Sequence, residues 1–553
     1  MKKFVSIVLA LLMVLSLVAC GGDKTPTTSD GTSAGTSAGT SSGTTTPSTG
    51  DGSGTTPTTP VDPDAWKYGG ELNVRWNTLE KGLDPHIYSG WGFYHWALCV
   101  FENAIAQDAE GNFVPGVCDF EFNEDQTVLK LKVREGKKFH NGKDVTIEDV
   151  VASLDRASLQ SNIKKYFTDY VESVEVKDGV ATYTFKEYVA NTMYYLTGYF
   201  TYTSIMPKEI CEKYGKDAEK AINTVADCIG TGPYKVVEYV EDTQVVMERF
   251  DDYCILEGST GPATKYAYMD KITIHCNKDD TSAMLALFAG DYDVCRLSGA
   301  EYLTMAEKQG IVKFDERTAN NVYIPFNTKG SRPVNDVNLR KAIAAVMSEH
   351  DVVPGLRSVY KLEHCPIQGK YYTTKFNEAE YYAKPGVETA KKYLAQSNYN
   401  GEELVFLVNG SADSYALVCK DKCAQIGVNV RIEYVDSGIY KSTYSDPKNA
   451  WDMCYLTSAV GSYVPGTLAA NLRSTFWGNK KAQELFTATA SNPFGSDASM
   501  KAWDELSDLW VEDCPNMILC YGTSVWGRNP ELNDNVPEGV TFNYWYNTYW
   551  EKK

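Results

Sequence analysis

The sequence predicts an α/β protein, and the prediction is clearest after about residue 310. There, apolar runs of strand length alternate with segments of helical periodicity: strands at Leu404–Val408 and Val428–Val435 flank a helix at Ser414–Ile426 that Gly427 ends. Strands that alternate with helices favour a mostly parallel sheet. The chain has 553 residues, of which 43% are apolar, so it can fill two to four domain cores.

The first residues have the pattern of an export signal. Lys2 and Lys3 precede a short apolar run, Phe4–Leu15, and residues 1–19 are the predicted signal peptide. Leu17–Cys20 resembles a bacterial lipobox, which implies cleavage before Cys20 and a lipid on its thiol; an ordinary signal peptide with a chance cysteine is the alternative. Residues 20–65 are then the lipidated cysteine and a tether of Gly, Ser, Thr, Pro and Asp. Two G-x-S-x-G matches inside this tether lack the strand and helix that a hydrolase motif requires.

The folded part begins near Trp66. A strand at Glu71–Trp76 is followed by a helix at Trp91–Ile105, and Thr127–Arg134 alternates apolar and basic residues as a half-buried strand does. Thr146 and Asp149 are placed to cap a helix that runs through Leu159. The remaining predicted strands are 181–185, 235–240, 244–250, 272–275, 292–295, 321–327 and 518–521, and the remaining predicted helices are 281–289, 336–348, 387–397, 482–489 and 499–513.

Charge and motifs argue against several functions. The net charge of −19 is a poor match for a nucleic-acid backbone, and six histidines leave little material for a metal site. No catalytic motif occurs in the folded part, so we predict no enzyme activity, no cofactor and no metal. Glu102 and Glu121 are not marked as a facing carboxylate pair, and His364 beside Cys365 is an incidental neighbour. His140, in a Phe-His-Asn-Gly turn, is interpreted as structural.

Fourteen cysteines are scattered without C-x-x-C spacing. Assigning Cys20 to lipid leaves 13, an odd number that cannot all pair, and the connectivity cannot be read from sequence. Cys419 and Cys423 lie four residues apart on one face of a predicted helix. We interpret them as buried thiols rather than as a metal pair.

Several short blocks occur in an order that resembles a known family. Five of the eight blocks contain the motifs Leu-Asp-Pro, Phe-Glu-Asn, Phe-His-Asn-Gly, Gly-Thr-Gly-Pro-Tyr and Phe-Asn-Thr. The blocks lie at Gly82–Pro85, Val100–Asn103, Phe113–Gly116, Val133–Gly142, Glu148–Val150, Gly230–Tyr234, Phe326–Thr328 and Val337–Ala342. In this order they resemble the extracytoplasmic solute-binding proteins of ABC importers, family 5, whose members bind oligopeptides, dipeptides or nickel.

The resemblance implies a two-lobed, periplasmic-binding-protein-like fold of the class II type, with an extra subdomain in the first lobe. The implied boundaries are 66–97, 228–311 and 522–553 for lobe I, 98–227 for the subdomain and 312–521 for lobe II. The lobes close on a ligand about crossovers near Val312–Asn327 and Met517–Trp526. The implied partners are an ABC permease and ATPase subunits, the membrane through lipid on Cys20, and no nucleic acid; the protein is expected to be a monomer outside the cytoplasm.

The resemblance also implies where the ligand lies. Peptide-binding members hold the peptide amine with an Asp in a Trp-x-x-Asp-Tyr-like segment, and alignment on Pro465 puts Ser458 at the Trp and Gly461 at the Asp. The missing carboxylate argues against the usual amine contact, and Asp452 upstream is a weak substitute. Peptides held through their backbone stay possible, and the many aromatic residues keep an oligosaccharide as the alternative ligand. The predicted ligand-binding residues are Asn77, Trp91, Tyr94, Tyr323, Asn327, Ser458, Gly461, Ser462 and Tyr463.

Two functions of other classes remain as alternatives to import. One is a secreted enzyme on the same scaffold, which a close carboxylate pair or a Cys–His contact in the cleft would favour. The other is a signalling receptor of the same fold that transports nothing. A peptide or peptide-like ligand for import is the first hypothesis.

Overall fold

The computed structural model describes most of the folded part of the chain. The described residues are 65–107, 112–188, 192–197, 201–254, 265–297, 313–348, 360–361, 364–367, 371–409, 413–446, 448, 450–459, 476–493, 495–533 and 545–551. The predicted signal peptide, Cys20 and nearly all of the predicted tether lie outside these ranges. So do Gly461, Ser462 and Tyr463 of the predicted ligand site.

Within these ranges the chain forms twenty strands. They are β1 Glu71–Trp76, β2 Ile105–Gln107, β3 Phe113–Pro115, β4 Cys118–Phe122, β5 Val128–Val133, β6 Val171–Lys177, β7 Val180–Phe185, β8 Tyr234–Val240, β9 Gln244–Arg249, β10 Lys271–Cys276, β11 Val294–Leu297, β12 Lys313–Pro325, β13 Tyr360–Lys361, β14 Glu403–Val408, β15 Asn429–Tyr434, β16 Met453–Cys454, β17 Leu456–Ala459, β18 Asn516–Arg528, β19 Leu532–Asn533 and β20 Tyr549–Trp550.

The same ranges contain fourteen α-helices. They are α1 Trp91–Val100, α2 Ile147–Arg156, α3 Ser161–Tyr166, α4 Thr192–Leu196, α5 Lys208–Tyr214, α6 Asp280–Ala289, α7 Val337–Met347, α8 Lys375–Glu378, α9 Glu380–Ala383, α10 Val387–Leu394, α11 Asp413–Gln425, α12 Ser437–Ser445, α13 Lys480–Ser491 and α14 Asp497–Asp513. None of the helices in the described ranges has the length and apolar composition needed to cross a lipid bilayer.

One nine-stranded sheet contains strands from both predicted lobes. Its order is β17-β12-β18-β11-β1-β10-β9-β8, and β13 also pairs with β18. β1 is parallel to both β10 and β11, whereas the other pairs in the sheet are antiparallel. β12 and β18 form a long ribbon that pairs Lys313 with Arg528 at one end and Pro325 with Asn516 at the other. This ribbon contains the predicted crossover Met517–Trp526 and most of the predicted crossover Val312–Asn327.

The predicted subdomain has a sheet of its own, with the antiparallel order β4-β5-β7-β6. Leu129 and Leu131 of β5 face a core that also contains Val150 and Leu154 of α2. The start of α2 has the predicted capping box, in which the Thr146 hydroxyl accepts from the backbone N–H of Asp149 and the Asp149 carboxylate accepts from that of Thr146.

The second lobe contains the parallel sheet that the sequence predicts, but it is small. Its order is β15-β14-β16, and Phe406 and Val408 pack with Ile343 of α7 and Cys419 of α11. The prediction of a mostly parallel sheet is wrong for the rest of this lobe, because β12, β13, β17 and β18 all pair antiparallel.

Most predicted helices and strands are confirmed with ends shifted by a few residues. The largest correction is the helix predicted at Trp91–Ile105, which ends at Val100. Phe101 is extended, and Ile105 already pairs with Pro115 in a short strand ladder. The apolar run continued through the helix end, so hydrophobicity alone did not mark the boundary.

Candidate ligand-binding site

The carboxyl ends of the parallel strands mark the candidate site in the first lobe. β1 lies between β10 and β11 and is parallel to both, so Trp76, Cys276 and Leu297 end at one edge of the sheet. In open α/β sheets, ligands bind in the crevice outside this edge. Asn77 follows β1 directly and is exposed there, at the position that the sequence predicts for a ligand contact.

A group of indole rings lies at this edge. Trp76 of β1 and Trp526 of β18 stack with ring centroids 5.5 Å apart, and the His95 ring of α1 lies 3.9 Å from that of Trp76. Trp545 packs 5.8 Å from Trp526. All four side chains are buried. The rings therefore form a rigid apolar wall where β18 enters the first lobe.

Arg296 lies within this wall. Arg296 of β11 pairs with Trp526 of β18, and the register of β1 with β11 places Trp76 on its other side. The guanidinium carbon is 4.9 Å from the centroid of a Trp76 ring, which is cation–π distance. Burial lowers the pKa of Arg296, although the carboxylate of Asp280 opposes that shift. Trp76, Arg296 and Trp526 thus form one row across three strands, which we call the Trp-Arg-Trp row.

A second arginine supports the row from the opposite face of the sheet. Arg75 is 1% exposed and forms an ion pair of 2.6 Å with Asp280 at the start of α6. It also donates to the backbone oxygens of Asn277, at 2.8 Å, and Arg296, at 2.6 Å. Arg75 therefore holds the strand ends together through Nε and Nη1, while its Nη2 makes the charge contact with Asp280.

The second lobe presents a similar edge. β14, β15 and β16 are parallel, so Val408, Tyr434 and Cys454 end together. Tyr434 is 58% exposed at this edge, which gives the second lobe an accessible aromatic side chain.

The two predicted residues on α1 differ in what the structure shows. Tyr94 is 4% exposed, and its hydroxyl donates to that of Tyr202 at 2.9 Å. Burial raises the pKa of Tyr94, so it stays neutral. Trp91 begins the helix, and its side chain is outside the described part. A ligand role for either residue stays a prediction.

Tyr323 and Asn327 lie in the interior of the second lobe. Tyr323 is 1% exposed in a cluster with Trp451 and Ile518. Asn327 is fully buried, its side-chain amide donates to the backbone oxygen of Trp451 at 3.2 Å, and its N–H donates to that of Asp452 at 2.9 Å. These contacts give both side chains a packing role, and a ligand contact for them stays a prediction.

Asp452 does not replace the missing amine ligand. It is fully buried and forms an ion pair with Arg332, whose Nε lies 3.1 Å from Oδ1 and whose Nη2 contacts Oδ2. Its Oδ2 also accepts from the N–H of Val405 at 2.8 Å. The backbone of Ser458 in β17 pairs with Asn321, and its side chain is outside the described part. The Asp452 carboxylate is therefore a structural acceptor.

His140 joins two of the family-like blocks, as its structural interpretation requires. Its Nδ1 accepts from the N–H of Gly230 at 3.1 Å, so Nε2 carries the proton and donates to the oxygen of Gly232 at 3.0 Å. Burial lowers the pKa of His140 to about 4. The glycines allow close packing: a Cβ on Gly230 would lie 2.1 Å from the oxygen of Val100, and one on Gly232 would lie 2.5 Å from that of Cys99.

The side chains weighed as catalytic groups have separate partners. Glu102 binds Lys137 at 2.8 Å and accepts from the Tyr253 hydroxyl at 3.0 Å, whereas Glu121 lies on the surface with Lys130. The His364 ring stacks on Tyr382, with centroids 3.8 Å apart, and its Nδ1 lies 2.5 Å from the oxygen of Ile518.

The thiol of Cys365 instead contacts the oxygen of Ile367 at 3.3 Å. Cys419 and Cys423 are buried thiols with sulfurs 3.9 Å apart, as predicted. In the described ranges, no three His, Cys, Asp or Glu side chains cluster as metal ligands would.

The sequence analysis did not select the Trp-Arg-Trp row. The one local signal was Arg296 itself, a charged residue at the end of the apolar strand Val294–Leu297. Its neighbours Trp76 and Trp526 are 220 and 230 residues away in the chain, so only the strand register brings them together.

Comparisons with known proteins agree on one family. Residues 105–480 match the family model for the middle part of bacterial extracellular solute-binding proteins, family 5. The chain is 22% identical to the oligopeptide-binding protein AppA of Bacillus subtilis over 422 residues, which is 71% of this chain and 75% of AppA.

Two solved structures have the same two-lobed fold. The ABC transporter substrate-binding protein CtaP of Listeria monocytogenes is 20% identical, with a TM-score of 0.72 over 88% of this chain and all of CtaP. AppA of Bacillus subtilis in complex with a nonapeptide is 20% identical, with a TM-score of 0.64 over 88% of this chain and all of AppA. The family model spans more than half of the chain. The chain is therefore a member of the bacterial extracellular solute-binding proteins of family 5.

Proposed function

We propose that this protein captures a peptide or peptide-like ligand between its two lobes and delivers it to an ABC importer. The observation that carries the proposal is the pair of parallel-strand edges, one in each lobe, joined by the β12–β18 ribbon. A ligand between the edges touches both lobes and so stabilises the closed form. The nonapeptide complex of AppA, on the same fold, supports a peptide as the ligand class.

The peptide would be held differently from the amine-anchored mode. Gly461 offers no carboxylate, and Asp452 is bound to Arg332. Contacts to the peptide backbone and to the exposed side chains at the two strand edges, Asn77 and Tyr434, are therefore the proposed source of affinity. The oligosaccharide alternative needs open ring faces, and at the first-lobe edge Trp76 and Trp526 stack on each other and are buried; the exposed Tyr434 at the second-lobe edge keeps this alternative open for the test.

The proposed cellular setting follows from the first 65 residues. Cleavage before Cys20 and lipidation of its thiol would hold the protein at the outer face of the cytoplasmic membrane, and the tether would give the lobes reach. The proposed partners are a permease and separate ATPase subunits, and the proposed receptor is a monomer. Mass spectrometry of the N-terminal peptide, with Cys20→Ser as the control, tests the lipid: an unmodified Cys20 overturns this part.

Native mass spectrometry of the gently purified protein tests the ligand. A co-purifying mass that fragments into amino acids supports the peptide proposal. A ladder of hexose units would refute it and favour the oligosaccharide. If the protein is empty, a thermal-shift screen with peptide and sugar pools decides, because a ligand that binds the folded state raises the unfolding midpoint.

A further inference from the structure

Two hydrogen-bond donors at the edge of the first lobe have no acceptor within the part of the chain that the structure describes. One is the guanidinium of Arg296, which is half-buried and contacts the ring of Trp76. The other is Nε1–H of Trp76, whose side chain is 3% exposed. Both belong to the Trp-Arg-Trp row, so two adjacent donors face the same need for an acceptor.

The carboxylate whose charge acts on Arg296 is that of Asp280, and it already forms an ion pair with Arg75. Burial lowers the pKa of Arg296 and the charge of Asp280 only opposes that shift, since Oδ1 of Asp280 lies 2.6 Å from Nη2 of Arg75. Nη1 of Arg75 donates to the backbone oxygen of Arg296, so the two arginines lie on neighbouring strands and both feel the charge of Asp280. A partly desolvated cation without a hydrogen-bonded counter-charge is costly, and the described residues give the Arg296 guanidinium no hydrogen-bonded carboxylate.

We propose that the Trp-Arg-Trp row binds a carboxylate of the ligand, with the half-buried guanidinium of Arg296 as the charged partner and the buried rings of Trp76 and Trp526 as its apolar support. The planar guanidinium offers a paired set of donors that fits a carboxylate, and a low-dielectric wall strengthens the contact. The proposal rests on the proposed capture of a peptide and names a group by which this edge would recognise it. Two sources of that group are the C-terminal carboxylate and an acidic side chain.

The positive charge of Arg296 would also offset, at short range, the repulsion of an anionic ligand by the negatively charged chain. With a net charge of −19, the protein repels anions at long range, and the repulsion is screened beyond about 10 Å at 0.1 M salt. A half-buried arginine is therefore the kind of local group that such a chain needs in order to hold an anionic ligand.

The test compares four proteins: the unaltered chain, Arg296→Gln, Arg296→Lys and Arg431→Gln. Arg431 is an exposed arginine of β15 paired with Glu403, so it is a charge-matched control outside the proposed site. Each is titrated calorimetrically with three pentapeptide libraries. One has free C-terminal carboxylates and no acidic residues, one is the amidated form of the first, and one is amidated with a single Glu.

The expected result is that the unaltered chain prefers one of the carboxylate-bearing libraries over the neutral library. Arg296→Gln should weaken that preferred binding by about 10- to 100-fold. Arg296→Lys should recover part of it, and Arg431→Gln should leave it unchanged. A loss confined to the free-acid library identifies the terminal carboxylate, and a loss confined to the Glu library identifies the side chain. The proposal is wrong if Arg296→Gln lowers binding of the neutral library by the same factor.

The peptide function and the carboxylate contact can fail separately. If the unaltered chain binds none of the libraries, the peptide proposal fails. The carboxylate proposal is then decided with glutamate and citrate, and binding that is absent or insensitive to Arg296→Gln overturns it. Circular dichroism and the unfolding midpoint of each variant verify folding, and Arg296→Lys, which keeps the charge, serves if Arg296→Gln does not fold.

Discussion

The buried ion pair between Asp84 and Arg156 should be a main determinant of stability in the first lobe. Asp84 belongs to the Leu-Asp-Pro block, and Arg156 ends α2 of the predicted subdomain. Their side chains are at most 2% exposed, and two N–H···O contacts of 2.9 and 2.6 Å join them. Asp84 also accepts from the N–H groups of His86, at 3.0 Å, and Ile222, at 3.1 Å. One carboxylate thus satisfies donors from three segments.

Asp84→Asn should lower the free energy of unfolding by about 3–5 kcal/mol, because it leaves a buried guanidinium without its counter-charge. Urea denaturation measures this change. Hydrogen exchange should also accelerate at the amide of Ile222, which loses a charged acceptor. Asp155→Asn is the matched control: Asp155 is one residue from Arg156 but pairs with Lys216 at the surface, so the cost should stay below about 1 kcal/mol.

The double variant Asp84→Leu with Arg156→Met separates lost charge from lost volume. Replacing both partners by apolar side chains removes the unpaired charge, so the double variant should be more stable than Asp84→Asn. The reasoning is refuted if Asp84→Asn unfolds within 1 kcal/mol of the unaltered chain, or if the double variant is the less stable one.

Three further predictions follow from buried groups. Since burial lowers the pKa of His140 to about 4, the unfolded chain binds its proton first. Stability should fall as the pH drops from about 6.5 to 4, and His140→Gln should reduce that slope by up to about 1.4 kcal/mol per pH unit in urea titrations; an unchanged slope contradicts the assignment. Gly230→Ala should lower the unfolding midpoint more than Gly179→Ala, because the Gly230 Cβ clashes with backbone whereas the Gly179 Cβ meets nothing within 4 Å and costs only the strain of its positive φ; equal shifts in thermal scans would count against the close packing. In the native protein, a thiol reagent should label the half-buried Cys254 and Cys276 before the buried cysteines among the described residues, as peptide mass spectrometry would detect; fast labelling of Cys419 would contradict this order.

Local rules predicted the elements well where the signal lies within a few residues. Neighbouring side chains were enough to predict three features: the capping box at Thr146, the helix end at Gly290 and the antiparallel hairpin of β8 and β9. The same rules failed at the end of α1, because the apolar residues after Val100 enter another core as extended chain. Periodicity does not distinguish a buried helix from the buried extended segment that follows it.

The prediction of parallel strand pairing was the larger failure, because the strands that pair are far apart in the sequence. The alternation of strands and helices in the second lobe predicted parallel pairing, which holds for β14, β15 and β16. β12 and β18 are about 200 residues apart in sequence, yet they form the longest ladder among the described residues. Nothing in either strand encodes its partner, so only the resemblance to a family indicated that the two crossovers lie together.

The candidate site shows the same limit more sharply. Asn77 directly follows β1, at an edge of the kind where ligands bind in open α/β sheets, but no pattern in the sequence marked that position. Tyr94 and Tyr323 were chosen for their aromatic rings, but a ring alone does not say which face it turns to, and both are buried.

Arg296 carries the clearer signal for a ligand, because a half-buried cation needs an acceptor whereas a buried tyrosine needs only packing and one hydrogen bond. A charge without a hydrogen-bonded acceptor among the described residues, rather than residue type, is therefore what distinguishes Arg296 from the buried rings around it. That need becomes visible only when the strand register has placed Trp76, Arg296 and Trp526 side by side.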